Sequence, residues 1–114
     1  MPRKYRKQVL ESFDVRTISV EVADENTYGL RFYDDIHAYA KGRYLFETFT
    51  EQINRNNLAL PPEWNQMTKI QQWKVKSGSI IIKGNATSQL QMGDRYIGGA
   101  KQWYITNLDD LTKP

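Results

Sequence analysis

A chain of 114 residues with 39% hydrophobic and 25% charged residues has the size and composition of one globular domain. It has no cysteine and a single histidine, His37, which excludes disulfides, thiolate zinc sites, Cys nucleophiles and His-rich metal centres. The net charge of +3 is concentrated in Arg3, Lys4, Arg6 and Lys7, and without them the remainder is close to neutral. Residues 1–12 therefore read as a basic N-terminal arm, either a solvated terminus or a contact for anionic partners, and residues 13–114 as the domain. No apolar run approaches a membrane span, and the basic start lacks the apolar stretch of a secretory signal.

In chain order, "KQVLESFDV" predicts a short helix. "VRTISVEVA" (15–23) alternates, with Ile18, Val20 and Val22 on one side, and predicts a half-buried strand. "DENTYG" is a turn, and "LRFYDD" predicts a second strand that closes a hairpin with the first. "DDIHAYAKGRYL" predicts a helical start, with Asp34 or Asp35 capping it and Gly42 stopping it. "FTEQINRNNLAL" predicts a helix capped by Thr50 and ended by "PPEWNQ". "KIQQWKVKSGSIIIKGNA" predicts two strands around "KSGS", with "IIIKG" crossing the core. "SQLQMGDRYIGGA" is a loop with three glycines, and "KQWYITNL" is the final strand, with Gln102 near its start and Asp109 and Asp110 beyond it. Strands early, helices in the middle and strands late predict an α+β domain: a small split antiparallel β-sheet with short helices.

Few residues carry chemistry by spacing alone. Arg31, in a strand, can grip phosphate through its fixed fork of donors, but reads first as a surface Arg paired with a carboxylate. Tyr44 follows Gly42 by two residues and is either a core tyrosine or a ring that stacks on a flat ligand. His37 has no partner visible in sequence and reads as structural or exposed. Glu47, Glu51, Asp109 and Asp110 lack a general acid–base context. No P-loop or dinucleotide-fold glycine loop occurs.

Taken together, "GRYLFETFT", "LALPPEWN", "IQQWKVKSGSIIIKGNATSQ" and "YIGGAKQWYI" follow one another in an order that resembles a known family. It is that of the ADP-ribosyltransferase-like domains of bacterial polymorphic toxins, within it the NAD-glycohydrolase group typified by tuberculosis necrotizing toxin. The resemblance spans about Leu30 to Leu111. It implies that NAD is the substrate and that Gln102, Tyr44 and Arg31 are the catalytic residues. Gln102 would face the nicotinamide ribose, Tyr44 would stack on the nicotinamide, and Arg31 would hold the phosphates, with Arg16 the competing arginine. Tyr33, Gly42, Gly98 and Gly99 complete the implied NAD-binding set together with Arg31 and Tyr44. Gln71 stands where that group often has a histidine. The implied partners are an immunity protein and, for transfer, a protein or nucleic-acid acceptor of ADP-ribose. The implied site of action is the cytoplasm, after delivery into a target cell.

Such chemistry suits a chain poor in His and Cys. Cleaving the nicotinamide–ribose bond passes through an oxocarbenium-like state, and nicotinamide leaves as a neutral molecule, so binding and orientation carry most of the catalysis. Two other functions remain open at this level. One is a small basic nucleic-acid-binding module using the aromatics of "QQWKVK" and "KQWYI". The other is a catalytically weakened toxin-fold domain that binds a protein partner.

Overall fold

The computed structural model describes residues 3–114, with side chains from Arg6 onward. Helix α1 (Arg3–Ser12) leads through a 3-10 turn (Val15–Thr17) into β1 (Ser19–Val22). There follow β2 (Tyr28–Tyr33), β3 (Tyr44–Leu45), β4 (Lys69–Val75), β5 (Ile80–Asn85), β6 (Lys101–Ile105) and β7 (Leu111–Thr112). One sheet has the order β1-β5-β6-β3 and the other β2-β4-β7, with all pairings antiparallel. The result is a small α+β fold with few helices.

Within the segment read as a basic arm, Arg3–Ser12 form a helix, and one face of it meets the core. Val9 and Phe13, four residues apart on one helical face, are 4% and 1% exposed and pack with Ile82 and Tyr104. A second cluster lies between the sheets: Leu45, Trp73, Val75, Ile81, Trp103, Ile105 and Leu111, with Ala23. Adjacent Ile81 and Ile82 serve the two clusters, because successive strand residues face opposite ways. The expected apolar crossing at "IIIKG" is thus realised. On β6 the same alternation sends Trp103 and Ile105 between the sheets and Tyr104 towards α1.

Four expectations fail for identifiable reasons. β1 is confined to Ser19–Val22, is exposed throughout, and pairs with β5 rather than β2. Ala23 bonds the backbone of Gly78 and Ser79, and the Val75 N–H donates to the Thr27 carbonyl. The turns at 23–27 and 75–79 are thereby tied together where both change sheets, so the predicted hairpin of β1 with β2 does not close, while the two strands expected around "KSGS" form in different sheets.

No helix forms at 34–42. One oxygen of Asp34 accepts the N–H groups of Ile36, His37 and Ala38 at 2.8–2.9 Å, and Asp35 has φ 65°. Such bonds would suit a helix cap, but the N–H groups of Asp34 and Asp35 donate forward to the Ala38 carbonyl, opposite to the helical direction, and the left-handed Asp35 breaks the helical path.

The 50–58 segment is a chain of turns. Asn54 captures the Glu51 carbonyl and the Asn57 N–H, which is how asparagine competes with helical hydrogen bonds. Asp109 and Asp110 do not follow the last strand, since β7 comes after them and pairs with β4.

Candidate functional site

The two sheets are stitched at one point. Leu30 and Phe46 exchange both backbone hydrogen bonds, at 2.7 and 2.8 Å. This bridge brings Arg31 of one sheet next to Tyr44 of the other. Along β3–β6 the register sets Tyr44 opposite Tyr104, and along β5–β6 it sets Gly84 opposite Gln102. Gln102 and Tyr104 share the β6 face towards α1, and α1 closes over them.

A cleft opens where these parts meet. It consists of a cavity of about 350 Å³ that includes Arg31, His37, Lys41 and Asn65, and a neighbouring one of about 560 Å³ that includes Glu11, Ser12, Thr87 and Gln89. Tyr44, Leu58, Leu60, Trp64 and Gln102 line both and form the seam.

Gln102 is 8% exposed. Its Nε2 donates to the Ser12 carbonyl at 3.0 Å. That bond orients the amide and leaves Oε1 with no protein donor among the described residues. Ser12 also bonds Tyr44, its Oγ lying 2.6 Å from the phenol oxygen, while Ser12 Oγ donates to the Gln8 carbonyl. The Tyr44 ring meets Tyr104 edge-on at 5.3 Å and stacks with Phe13 at 6.5 Å. Burial raises the Tyr44 phenol above its ordinary pKa; the bond to Ser12 opposes this, the negative charge of Glu11 adds to it and Arg43 opposes it. The phenol is therefore neutral at physiological pH.

Arg31 is held by carbonyls rather than by a carboxylate. Nε donates to Tyr39 O at 2.9 Å and Nη1 to Tyr44 O at 3.1 Å. Burial lowers its pKa, yet a guanidinium keeps its proton. No acidic partner pairs with it among the described residues, so a half-buried cation faces the cleft with charge to offer an anion. Arg16, the competing arginine, is 86% exposed and ion-paired to Asp14 at 3.1 Å, outside the cleft. Of the two, Arg31 is the one positioned beside Tyr44 and Gln102.

The other predicted residues separate. Gly42 touches the Arg31 guanidinium, and a Cβ there would lie 2.3 Å from it. Tyr33 lies outside the cleft lining, with Lys69 Nζ 5.8 Å from its ring centroid. Gly98 (φ 78°) and Gly99 (φ 97°) also lie outside it. A Cβ on Gly98 would come within 2.5 Å of the Ala86 carbonyl, so this glycine lets one loop approach another. Asn57 and Asn56 fasten that loop to the 54–60 turns. Gln71 sits opposite Arg31 in the β2–β4 register, and its amide donates to Gln72 O. His37 lines the cleft as an exposed residue.

Trp64, Ser12 and Glu11 were not singled out from the sequence. Trp64 is 42% exposed and spans both cavities. Arg55 holds its loop by donating to the carbonyls of Leu60, Asn65 and Gln66. The only signal for Trp64 was its place inside "LALPPEWN". Trp73 and Trp103, the aromatics that would form a nucleic-acid face, are 5% and 4% exposed and belong to the core.

No protein-family model matches the chain, and no curated protein matches it. Among solved structures, that of Tse6 in complex with Tsi6 aligns over 100% of this chain and 85% of the matched chain, at 12% identity and a TM-score of 0.69. At that identity the likeness establishes a shared fold, and the α+β arrangement of two antiparallel sheets is common ground with that structure.

Proposed function

We propose that the protein is an NAD-consuming, toxin-like enzyme that cleaves the nicotinamide–ribose bond of NAD. The observation that carries this reading is the convergence of Arg31, Tyr44 and Gln102, from separate stretches of chain, on one cleft. A dinucleotide carries a diphosphate, a flat cationic ring and a ribose between them. Arg31 supplies a cation with no competing carboxylate for the diphosphate. Tyr44 supplies a neutral ring, and Gln102 supplies a carbonyl oxygen fixed by the Ser12 contact for the sugar that develops positive charge. In the oxocarbenium-like state the leaving nicotinamide takes the bond's electron pair and becomes neutral, so no strong acid is required.

The shared fold with Tse6, a toxin described together with its immunity protein Tsi6, supports the toxin context and an immunity-type protein as partner. Among the described residues no helix is long and apolar enough to cross a membrane. Action in the cytoplasm of a target cell, where NAD is abundant, accords with this chemistry.

Incubation with NAD should release nicotinamide, followed by chromatography. A Gln102→Ala protein should lose on the order of 100-fold in release, as on removal of one preorganised polar group, while keeping the parent's circular dichroism. Parental turnover in the variant would remove Gln102 from the mechanism. Absence of turnover in the parent would sink the enzymatic reading.

A further inference from the structure

Helix α1 meets the sheet of β3 and β6 through two kinds of contact. Val9 and Phe13 pack on Ile82 and Tyr104. Apolar burial of this kind holds the helix down but is non-directional, so it does not fix rotation or position along the helix axis. Hydrogen bonds do that. Gln8 and Ser12, four residues apart, lie on one side of the helix. The Tyr104 phenol donates to Gln8 Oε1 at 2.7 Å. Ser12 Oγ donates to the Gln8 carbonyl. Its proton is then in use, so the Tyr44 phenol is the donor in the 2.6 Å contact with Ser12 Oγ. The Ser12 carbonyl accepts the Gln102 amide at 3.0 Å.

Resting on the NAD-cleaving reading, we propose that Gln8 and Tyr104 are positioning residues. Their hydrogen bond sets the last turn of α1, and through the Ser12 carbonyl it aims the Gln102 oxygen at the reacting sugar. Three observations carry this assignment. Tyr104 is 0% exposed and lines neither cavity, so its hydroxyl has no route to a ligand. Gln8 is an exposed helix residue lining the larger cavity, and the buried phenol occupies its Oε1. Gln102 and Tyr104 stand two residues apart on one face of β6, so the helix is fastened at the second and acts at the first.

The bond to Ser12 is the contact that orients the Gln102 amide among the described residues. A Gln side chain otherwise turns about its own bonds, so a shift of the Ser12 carbonyl becomes a rotation of Oε1. The loss falls on kcat rather than KM, because Gln102 acts on charge that develops only in the transition state.

Two variants break the bond from opposite ends. Tyr104→Phe removes the donor and keeps the ring, and Gln8→Met removes the acceptor at an exposed helix position. Each should lower kcat for nicotinamide release by about tenfold or more, with KM for NAD little changed. Gln8→Glu should keep the parental kcat, since a carboxylate accepts the same phenol proton. In a Gln102→Ala background Tyr104→Phe should lower kcat no further, because it acts through that residue. The Gln102 side-chain amide, assigned in NMR spectra by its loss in Gln102→Ala, should exchange with solvent faster in Tyr104→Phe and Gln8→Met than in the parent. Parental kcat in either variant would overturn the proposal, as would equal losses in Gln8→Glu and Gln8→Met or a full further loss in the Gln102→Ala background. Unchanged amide exchange in the variants would overturn it too, and that measurement needs no NAD. A parent that releases no nicotinamide would overturn the NAD reading, and the catalytic role with it, whatever the amide shows.

Discussion

Gly42 lies directly against the Arg31 guanidinium, and a Cβ at Gly42 would stand 2.3 Å from both Cζ and Nη2 of that side chain. The glycine therefore holds the space in which the guanidinium reaches the carbonyls of Tyr39 and Tyr44. A Gly42→Ala substitution should push the arginine out of this seat. We expect the KM for NAD to rise about tenfold or more, with stability falling by about 1–2 kcal/mol as the two hydrogen bonds are lost. Combined with Arg31→Ala, Gly42→Ala should add little further loss, because both act on the same group. Steady-state kinetics of the two single variants and the double variant decide this.

Tyr44 offers a ring and a hydroxyl, and the two are separable. Its phenol is bonded to Ser12 and held neutral by burial, so it is not a proton carrier at neutral pH. Tyr44→Phe should cost about 1 kcal/mol in stability and change kcat only a few-fold. Tyr44→Ala should cost substantially more in both, since it removes the ring from the seam and from its contacts with Phe13 and Tyr104. Equal losses in the two variants would instead assign the chemistry to the hydroxyl.

Trp64 is the only tryptophan of the three that lines the cleft while exposed, because Trp73 and Trp103 are buried. Binding of ADP-ribose should therefore change the intrinsic fluorescence, and Trp64→Phe should abolish that change. Titration of parent and variant, with affinity read separately by calorimetry, checks both halves of the expectation.

The Asp34 loop makes stability depend on pH in the acid range. Burial works against the Asp34 charge, but the N–H groups of Ala38, Gln66, Ile36 and His37 outweigh it and hold the carboxyl well below the usual carboxylate range. A folded pKa below the unfolded one means that the folded state binds the proton less readily. Its contribution is complete above about pH 4 and is lost progressively as the pH falls below that. Asp34→Asn should unfold at lower temperature at pH 7, and the gap between its melting temperature and the parent's should narrow on acidification. Thermal melts across pH 2–7 measure this.

The candidate site was partly legible. Arg31, Tyr44 and Gln102 could be nominated because each stands in a short segment whose order resembles a toxin family. Choosing Arg31 over Arg16 required the Leu30–Phe46 bridge, a contact between strands of different sheets. Ser12 and Glu11 carried no signal, because the short helix expected at "KQVLESFDV" says nothing of which strand it covers. Only Val9 and Phe13, once buried, bring the end of that helix over β6. Gly98 and Gly99 both have positive φ, which is equally useful for approaching a ligand and for packing one loop on another, and at Gly98 it brings the loop against the Ala86 carbonyl.

By itself the sequence determined what depends on neighbours in the chain. This includes most strand segments, the Asp24–Thr27 and "KSGS" turns, the apolar crossing at "IIIKG" and the absence of thiol or multi-histidine chemistry. Tertiary structure alone decided which strands pair, whether 34–42 and 50–58 become helices, and which polar residues share a cleft. Alternation identifies a strand but carries no information about its partner. A left-handed residue such as Asp35, or an Asn side chain that competes for backbone groups, can end an incipient helix when the surrounding fold holds it in place. The site arises at the junction of α1 with the edges of two sheets, so its composition follows from register and packing rather than from spacing along the chain.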